Sequence, residues 1–379
     1  MPDRRVRSAA VVAPCQYARR VSQRPRRVTL RDISAETGLS MAAVSYALRG
    51  IQVPIETQER VRAVAERLGY QADPIARALA SGRTGYIGVL CGSLTDIWQQ
   101  GVAAALGRGL LAESRQAMIV DASNDPVVEA ALAMQLLDQR VDAIIALPVD
   151  PAARHWREVA EKVQLVSIGD GLPGVATAAE VVFDNEAGVS SAMHQLLDAG
   201  HRRIAVLTPA ALATPDRPAE VVIHRLATEL GLDVSLHTSP HELDGARAVA
   251  LDVLSSDRRP TAIFCLTDSM AYGVYAATRE LNLDVPGELS VLGYDDNPVS
   301  GLLTPPLSSY RWPIDELVSA VVERTVRAVD EGKRSRRKVL TPIPQFRASV
   351  APPPRPVTAF GVESGLSRTP RHNRAPDEG

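Results

Sequence analysis

Between Thr29 and Gly50 the residue types and their spacing point to recognition chemistry: TLRDISAETGLSMAAVSYALRG. Hydroxyl side chains stand at Thr29, Ser40 and Ser45, with a guanidinium at Arg49. Such hydroxyls hydrogen-bond phosphate oxygens, and the cation adds charge support. Thr29 and Ser40 equally suit helix capping, and the two roles coexist. Elsewhere the residues that would carry catalysis are missing or scattered. There is no GxxxxGK, no HExxH and no paired cysteine, and the seven histidines are dispersed. His201, in AGHRR, reads as a structural residue at a turn before a strand. Cys15, Cys91 and Cys265 lack metal-ligand spacing and read as reduced thiols of a cytoplasmic protein, the last two in apolar core runs. No enzyme activity, metal or cofactor is expected.

The elements that must position the recognition residues follow from the same stretch. Thr29 caps a first helix, with Asp32 three residues on as in a capping box. Leu30 and Ile33 give that helix an apolar face, and Gly38 frees the backbone to turn. Ser40 caps a second helix, Met41 to Arg49. Val44 and Leu48, four apart, turn inward, which leaves Met41, Ala42, Ser45, Tyr46 and Arg49 outward. A third helix in IQVPIETQERVRAVAERLGY, with Val61, Val64 and Leu68 at helical spacing, closes an all-α head over 28–71. Gly-turned helix pairs occur in many all-α cores. They are also the helix-turn-helix unit, whose second helix lies in the DNA major groove. Residues 72–84, with DPIARALASGRT, read either as a plain linker or as a hinge that turns helical on binding.

From Tyr86 the period changes. Apolar runs at 86–90, 117–121, 143–147, 164–168, 203–208, 262–266 and 289–294 have strand length, and amphipathic helical stretches such as 125–139, 186–199, 242–256 and 268–282 separate them. This alternation predicts an α/β core of doubly wound parallel sheets in two similar halves over 85–350. Ligands bind such sheets beyond the carboxyl ends of the strands. A last helix over 313–331 precedes the basic run GKRSRRK, read as a solvated face. Residues 1–27 and the Pro-rich 351–379 are expected to be disordered, the first as a basic extension.

Charge is unevenly spread. The chain of 379 residues carries a net −2, yet residues 1–83 hold 15 Arg against 7 acids. A basic end on an acidic body suits a DNA-binding head on a soluble core. No apolar run reaches the roughly 18 residues of a membrane span, and no apolar stretch follows the N-terminal arginines as a secretory signal would require.

The chain resembles the LacI/GalR family of bacterial transcription regulators over about residues 28–350. The resemblance rests on VTLRDISAETGLSMAAVS, ETQERVRAVAERLGY and ARALASGRTGYIGVL in the head and its exit. In the body it rests on DNEAG, LLDAGHRRIAVL, PTAIFCLTDSMAYG, VPGELSVLGYDD and TPPLSSYRWP. It implies a homodimer on a palindromic operator, most often as a repressor. It also implies a two-lobed, periplasmic-binding-protein-like core whose small effector, a sugar or related metabolite, alters the grip on DNA. A purine or nucleoside would use the same residue types. A transport-binding protein on this scaffold has no use for such a head.

Carried onto this chain, the resemblance assigns base reading to Met41, Ala42 and Tyr46, where no bidentate Arg, Asn or Gln stands. It places Leu79 as an apolar wedge in the minor groove, with packing against a partner hinge as the other reading, and Arg77 as a backbone contact. Ala72-Asp73 and Pro54 depart from the family's usual Pro-Asn and helix-capping Ser. For the effector it points to Asp295 in GYDD, to Arg217 before a helix, and to Trp98 in TDIWQQ as a platform for a sugar ring. Glu220 replaces the Gly usual three residues after that Arg. Asp170 ends a strand run facing the other lobe. Asp268 opens a helix as its cap or as a ligand contact, with Thr267 as its neighbour on the cleft side.

Overall fold

The computed structural model describes residues 28–70, 82–209 and 218–354. The chain divides into two compact units, the first ending at Gly82 and the second beginning at Arg83.

The first unit holds α1 (Leu30–Thr37), α2 (Met41–Arg49) and α3 (Ile55–Leu68). The Asp32 carboxylate accepts from both the Thr29 N–H and its hydroxyl, each at 2.8 Å, which fixes the first turn. Gly38 ends α1 at φ 71°, and its N–H returns to Ser34 O. No neighbour crowds the place of a Cβ there, so the backbone angle alone demands glycine. Ser40 Oγ accepts from Ala43 N at 3.2 Å and starts α2. Pro54 has no side chain to cap α3, and its carbonyl takes Thr57 N and Gln58 N instead. Ile33, Val44, Ala47, Val61 and Ala65 make the head's core. Leu48, expected inside, is half-buried, and the small Ala47 takes the central place beside Val44. A small residue there lets the helices approach closely.

The second unit is two-lobed. In the first lobe, β1 (Tyr86–Cys91), β2 (Gln116–Asp121), β3 (Ala143–Leu147), β4 (Gln164–Gly169), β5 (Ala179–Phe183) and β11 (Lys338–Leu340) form one parallel sheet in the order β11-β5-β4-β3-β1-β2. The helices α4 (Ile97–Ala112) and α11 (Ile314–Glu331) cover one face, and α5 (Pro126–Asp138) and α6 (His155–Lys162) the other. In the second lobe, β6 (Arg203–Pro209), β7 (Asp233–Ser239), β8 (Ala262–Cys265) and β9 (Ser290–Leu292) are parallel in the order β7-β6-β8-β9. Here α7 (Asn185–Asp198) and α8 (Pro218–Glu229) cover one face, α9 (Leu243–Leu254) and α10 (Asp268–Glu280) the other. Apolar residues on both faces of each sheet explain why its central strands read as unbroken hydrophobic runs.

The chain passes between lobes after β5, again between β10 (Ser309–Arg311) and α11, and again between β11 and β12 (Ile343–Gln345). β10 and β12 pair antiparallel. The run expected as a strand over 289–294 pairs with β8 only over Ser290–Leu292, because Gly293 N turns to Ser308 O and Asp295 N to Ser309 Oγ. Ala351, placed by sequence in the tail, is tied to the core through Ser290 Oγ and His201. His201 is buried between Thr261, Ser290 and Ala351, and burial lowers its pKa. Cys91 and Cys265 are free buried thiols, Cys91 pushed up to about 12 by burial and by the charge of Asp121. No described helix is long and apolar enough to cross a membrane.

Candidate functional site: the head surface and the interlobe cleft

On the head, the leading edge of α2 is open. Met41 is 56% exposed, Ala42 is exposed beside it, and Ser40 stands at the helix start with its Oγ accepting the cap bond. Tyr46 and Ser45 are half-buried. The Arg49 guanidinium lies 5.2 Å from the Tyr46 ring centre, and its Nε donates to Ser45 O at 3.3 Å. The two side chains thus brace each other on one face. Thr29 lies at the start of α1 with its hydroxyl donated to Asp32. An apolar Met beside a hydroxyl and a braced Tyr–Arg pair can meet thymine methyls and backbone phosphates. Arg77 and Leu79 lie outside the described residues.

In the second unit, a cavity of about 180 Å³ separates the lobes. It lies at the carboxyl ends of the strands, where Gly92, Pro148 and Gly169 meet Pro209, Leu266 and Tyr294 from the other lobe. Trp98, Asp170, Thr267 and Asp295 all line it, so the fold brings together four residues that lie far apart in sequence. Arg217 lies outside the described residues.

Trp98 enters from the first turn of α4, whose cap is Asp96: the Asp96 Oδ1 accepts from Trp98 N at 2.7 Å and Gln99 N at 3.2 Å. The ring meets Phe183 edge to face at 5.5 Å, Phe183 stacks on Trp312 at 4.1 Å, and Trp312 meets Tyr294 edge-on at 5.5 Å. This aromatic row floors the cavity where two of the interlobe passages begin. Trp98 Nε1 and Tyr294 Oη are buried without a hydrogen-bond partner among the described residues, the Tyr294 hydroxyl packed against Gly188.

Asp295 is 8% exposed, and its Oδ2 accepts the Asp268 N–H at 3.2 Å. Burial first, then the charges of Asp96 and Asp268, hold its carboxyl well above the ordinary carboxylate range. A carboxyl here can accept from a ligand hydroxyl, and its protonated form can also donate to one. Asp170 accepts from Asn185 Nδ2 at 3.0 Å, across the passage between lobes.

Two expectations need correction. The cap of α10 is Thr267, whose Oγ1 accepts from Met270 N at 3.3 Å; Asp268 is the first residue inside the helix. Nor does Asp268 line the cavity. Its fully buried carboxylate accepts from Ser309 Oγ at 2.6 Å, from Asn297 N at 2.8 Å and from Ser300 Oγ, which pins the 3₁₀ turn Pro298–Leu302 and β10 to α10. Glu220, noted as a departure, takes the Thr208 hydroxyl at 2.5 Å.

Sequence reasoning missed Asp96, His241, Phe183, Tyr294 and Trp312 as cavity residues. Tyr294 and Trp312 lie within the quoted VPGELSVLGYDD and TPPLSSYRWP segments, and Phe183 directly precedes DNEAG. Those positions were available, but only the passages between lobes show that they converge. Among the described residues no group of acids, histidines and cysteines could hold a metal.

Comparison with known proteins agrees with this architecture. Residues 193–350 match the model of a periplasmic binding protein-like domain. The chain is 30% identical over 314 residues to the HTH-type transcriptional regulator MalR of Streptomyces coelicolor, covering 79% of this chain and 90% of that one. It is 26% identical over 329 residues to the ribose operon repressor of Escherichia coli, covering 85% and 99%. The crystal structure of the lac repressor dimer bound to operator and the anti-inducer ONPF superposes with a TM-score of 0.75 over 86% of this chain and all of that one; at 23% identity the likeness speaks for the fold. With the helix-turn-helix head, the two-lobed core and a 30% identical regulator matched over nine-tenths of its length, the chain belongs to the LacI/GalR family of DNA-binding transcription regulators.

Proposed function

We propose that this regulator is a cytoplasmic repressor that binds a palindromic operator as a homodimer and releases or grips it according to a sugar or related metabolite held between the lobes. The observation that carries the effector half is the cavity itself. An aromatic row forms its floor, and the buried Asp295 carboxyl faces it. Aromatic faces suit the apolar side of a sugar ring, and the Asp295 carboxyl suits its hydroxyls. Asp170, Thr267 and Arg217 complete the proposed effector set. The relatives named for ribose operon control and the operator-bound lac repressor support the same reading. On DNA, Met41, Ala42 and Tyr46 face bases; Thr29, Ser40, Ser45 and Arg49 face phosphates; Leu79 wedges the minor groove at the operator centre with Arg77 on the backbone. The domain plan is a head over 28–71, a hinge over 72–84 and an effector-binding, dimerising core over 85–350. A ligand shifts such an equilibrium only through its different affinities for the two core states.

The test is selection of fragments from the source genome by the full-length protein, with and without a panel of saccharides. Enrichment of one near-palindromic site that a single saccharide abolishes or creates is the expected result. Uniform, salt-sensitive retention of all fragments, unchanged by every saccharide, would overturn the reading.

A further inference from the structure

We infer that Asp96 and His241 form the contact that registers the two lobes when the cleft is closed, making Asp96 a positioning residue that ties closure to the first turn of α4. The inference rests on the cleft being the effector site proposed above. Asp96 precedes α4 in the first lobe, and His241 precedes α9 in the second. His241 Nδ1 lies 3.0 Å from Asp96 Oδ2, with both side chains under a tenth exposed. The two atoms stand at contact distance without hydrogen-bond alignment. The residues beside them meet as well: Thr95 Oγ1 donates to Glu242 Oε1 at 3.3 Å.

One carboxylate therefore does two things. Its Oδ1 holds the Trp98 and Gln99 N–H groups at the helix start, and its Oδ2 faces the opposite lobe. Trp98, placed by that turn, lines the cavity together with Asp96 and His241. A buried polar contact adds little net stability, but it is demanding in geometry: removing one partner leaves the other buried and unpaired. Separating the lobes returns both groups to water at small cost, whereas bringing them together out of register buries two unpaired polar groups. The pair thus selects one closed arrangement, and that arrangement keeps the α4 turn, and Trp98 with it, in place.

The test measures the distance between the lobes in the full-length protein without DNA or saccharide. Spin labels go on Val127→Cys, 76% exposed at the start of α5, and Asp244→Cys, whose side chain is 91% exposed at the start of α9. Cys15→Ser removes the remaining thiol, since Cys91 and Cys265 are buried, and excess unlabelled protein prevents signals between subunits. Asp96→Asn keeps a capping residue of equal quality while removing the charge. We expect Asp96→Asn and His241→Gln each to lower the closed-to-open ratio about tenfold, and the double variant to be no worse than either, as for two residues acting through one contact. The Asp96→Asn melting curve should fall no further than a tenfold loss of the closed state accounts for, since the cap survives. The inference is overturned if Asp96→Asn keeps the wild-type distance distribution, if the two losses multiply, or if the wild type is open throughout without ligand. A wild type that closes and responds to both substitutions, yet binds no saccharide, would sink the effector reading and leave the registration contact standing.

Discussion

Ser40 in the head and Asp268 in the core are both short polar residues near the start of a helix, yet their surroundings have nothing in common. Ser40 is exposed, and its hydroxyl accepts from Ala43 N, three residues on. Asp268 is fully buried, and its carboxylate gathers donors from Asn297, Ser300 and Ser309, up to 41 residues away. The head builds its recognition face from neighbours in sequence on short helices. The core builds its cleft from strand ends and loops that meet only after the sheets have formed. A local feature should respond to substitution weakly and by itself. A convergent one should respond strongly and spread the effect.

The largest effect expected is that of Asp268→Ala. It leaves two hydroxyls and one backbone N–H without their acceptor in a buried place, at a cost of about 3–5 kcal/mol. Urea unfolding should show the core transition moved by that amount and the head transition unmoved. A core that unfolds at the wild-type concentration would show that these donors find other acceptors.

Next in size is a pH effect at Asp295. Burial, then Asp96 and Asp268, raise its folded-state pKa well above the ordinary value of 3.8. In the window between that value and the raised one, the folded chain holds a proton that the unfolded chain has lost. The stability linked to that proton is fully present below the ordinary carboxylate value and is lost as pH rises through the folded-state value. Asp295→Asn removes the dependence. The wild type should therefore lose stability relative to the variant as pH rises above the ordinary carboxylate value, by roughly 1.4 kcal/mol for each pH step of one inside that window. Parallel stability curves would mean that the carboxyl is hydrated in solution.

The smallest effect belongs to the head. Ser40→Ala should cost about 1 kcal/mol, and Ser40→Gly only a few tenths, confined to the head transition. If Ser40→Ala also shifted core unfolding, the separation of local from convergent features would fail.

The same contrast explains what was legible in the sequence. The helices of the head follow from capping residues, Gly38 and apolar spacing, all within a turn or two of each other. The strands β1, β3, β4, β6 and β8 follow from unbroken apolar runs, because helices bury both their faces. β7 did not stand out: at the sheet's edge its residues Asp233–Ser239 alternate with solvent-facing ones. β10–β12 span three residues each, too short for any period to declare itself. In the cleft, Trp98, Asp170, Thr267 and Asp295 were reached through resemblance and the rule of strand ends. Asp96 and His241 stand 145 residues apart with nothing local to mark them, so only the fold brings them within 3.0 Å. Asp268 was misjudged because a carboxylate at a helix start looks the same in sequence whether it faces a ligand or a ring of buried donors.

The central claim is that the cleft and the head share one equilibrium. Once an operator fragment and a saccharide are in hand, the most direct measurement is the affinity of the saccharide for the full-length protein, free and saturated with operator, beside the affinity for operator with and without saccharide. Thermodynamic linkage makes the two ratios equal, and the account predicts a factor of about 5–150 in both. A saccharide that binds the cleft equally well with and without operator would contradict it, because such a ligand has no means of moving the head.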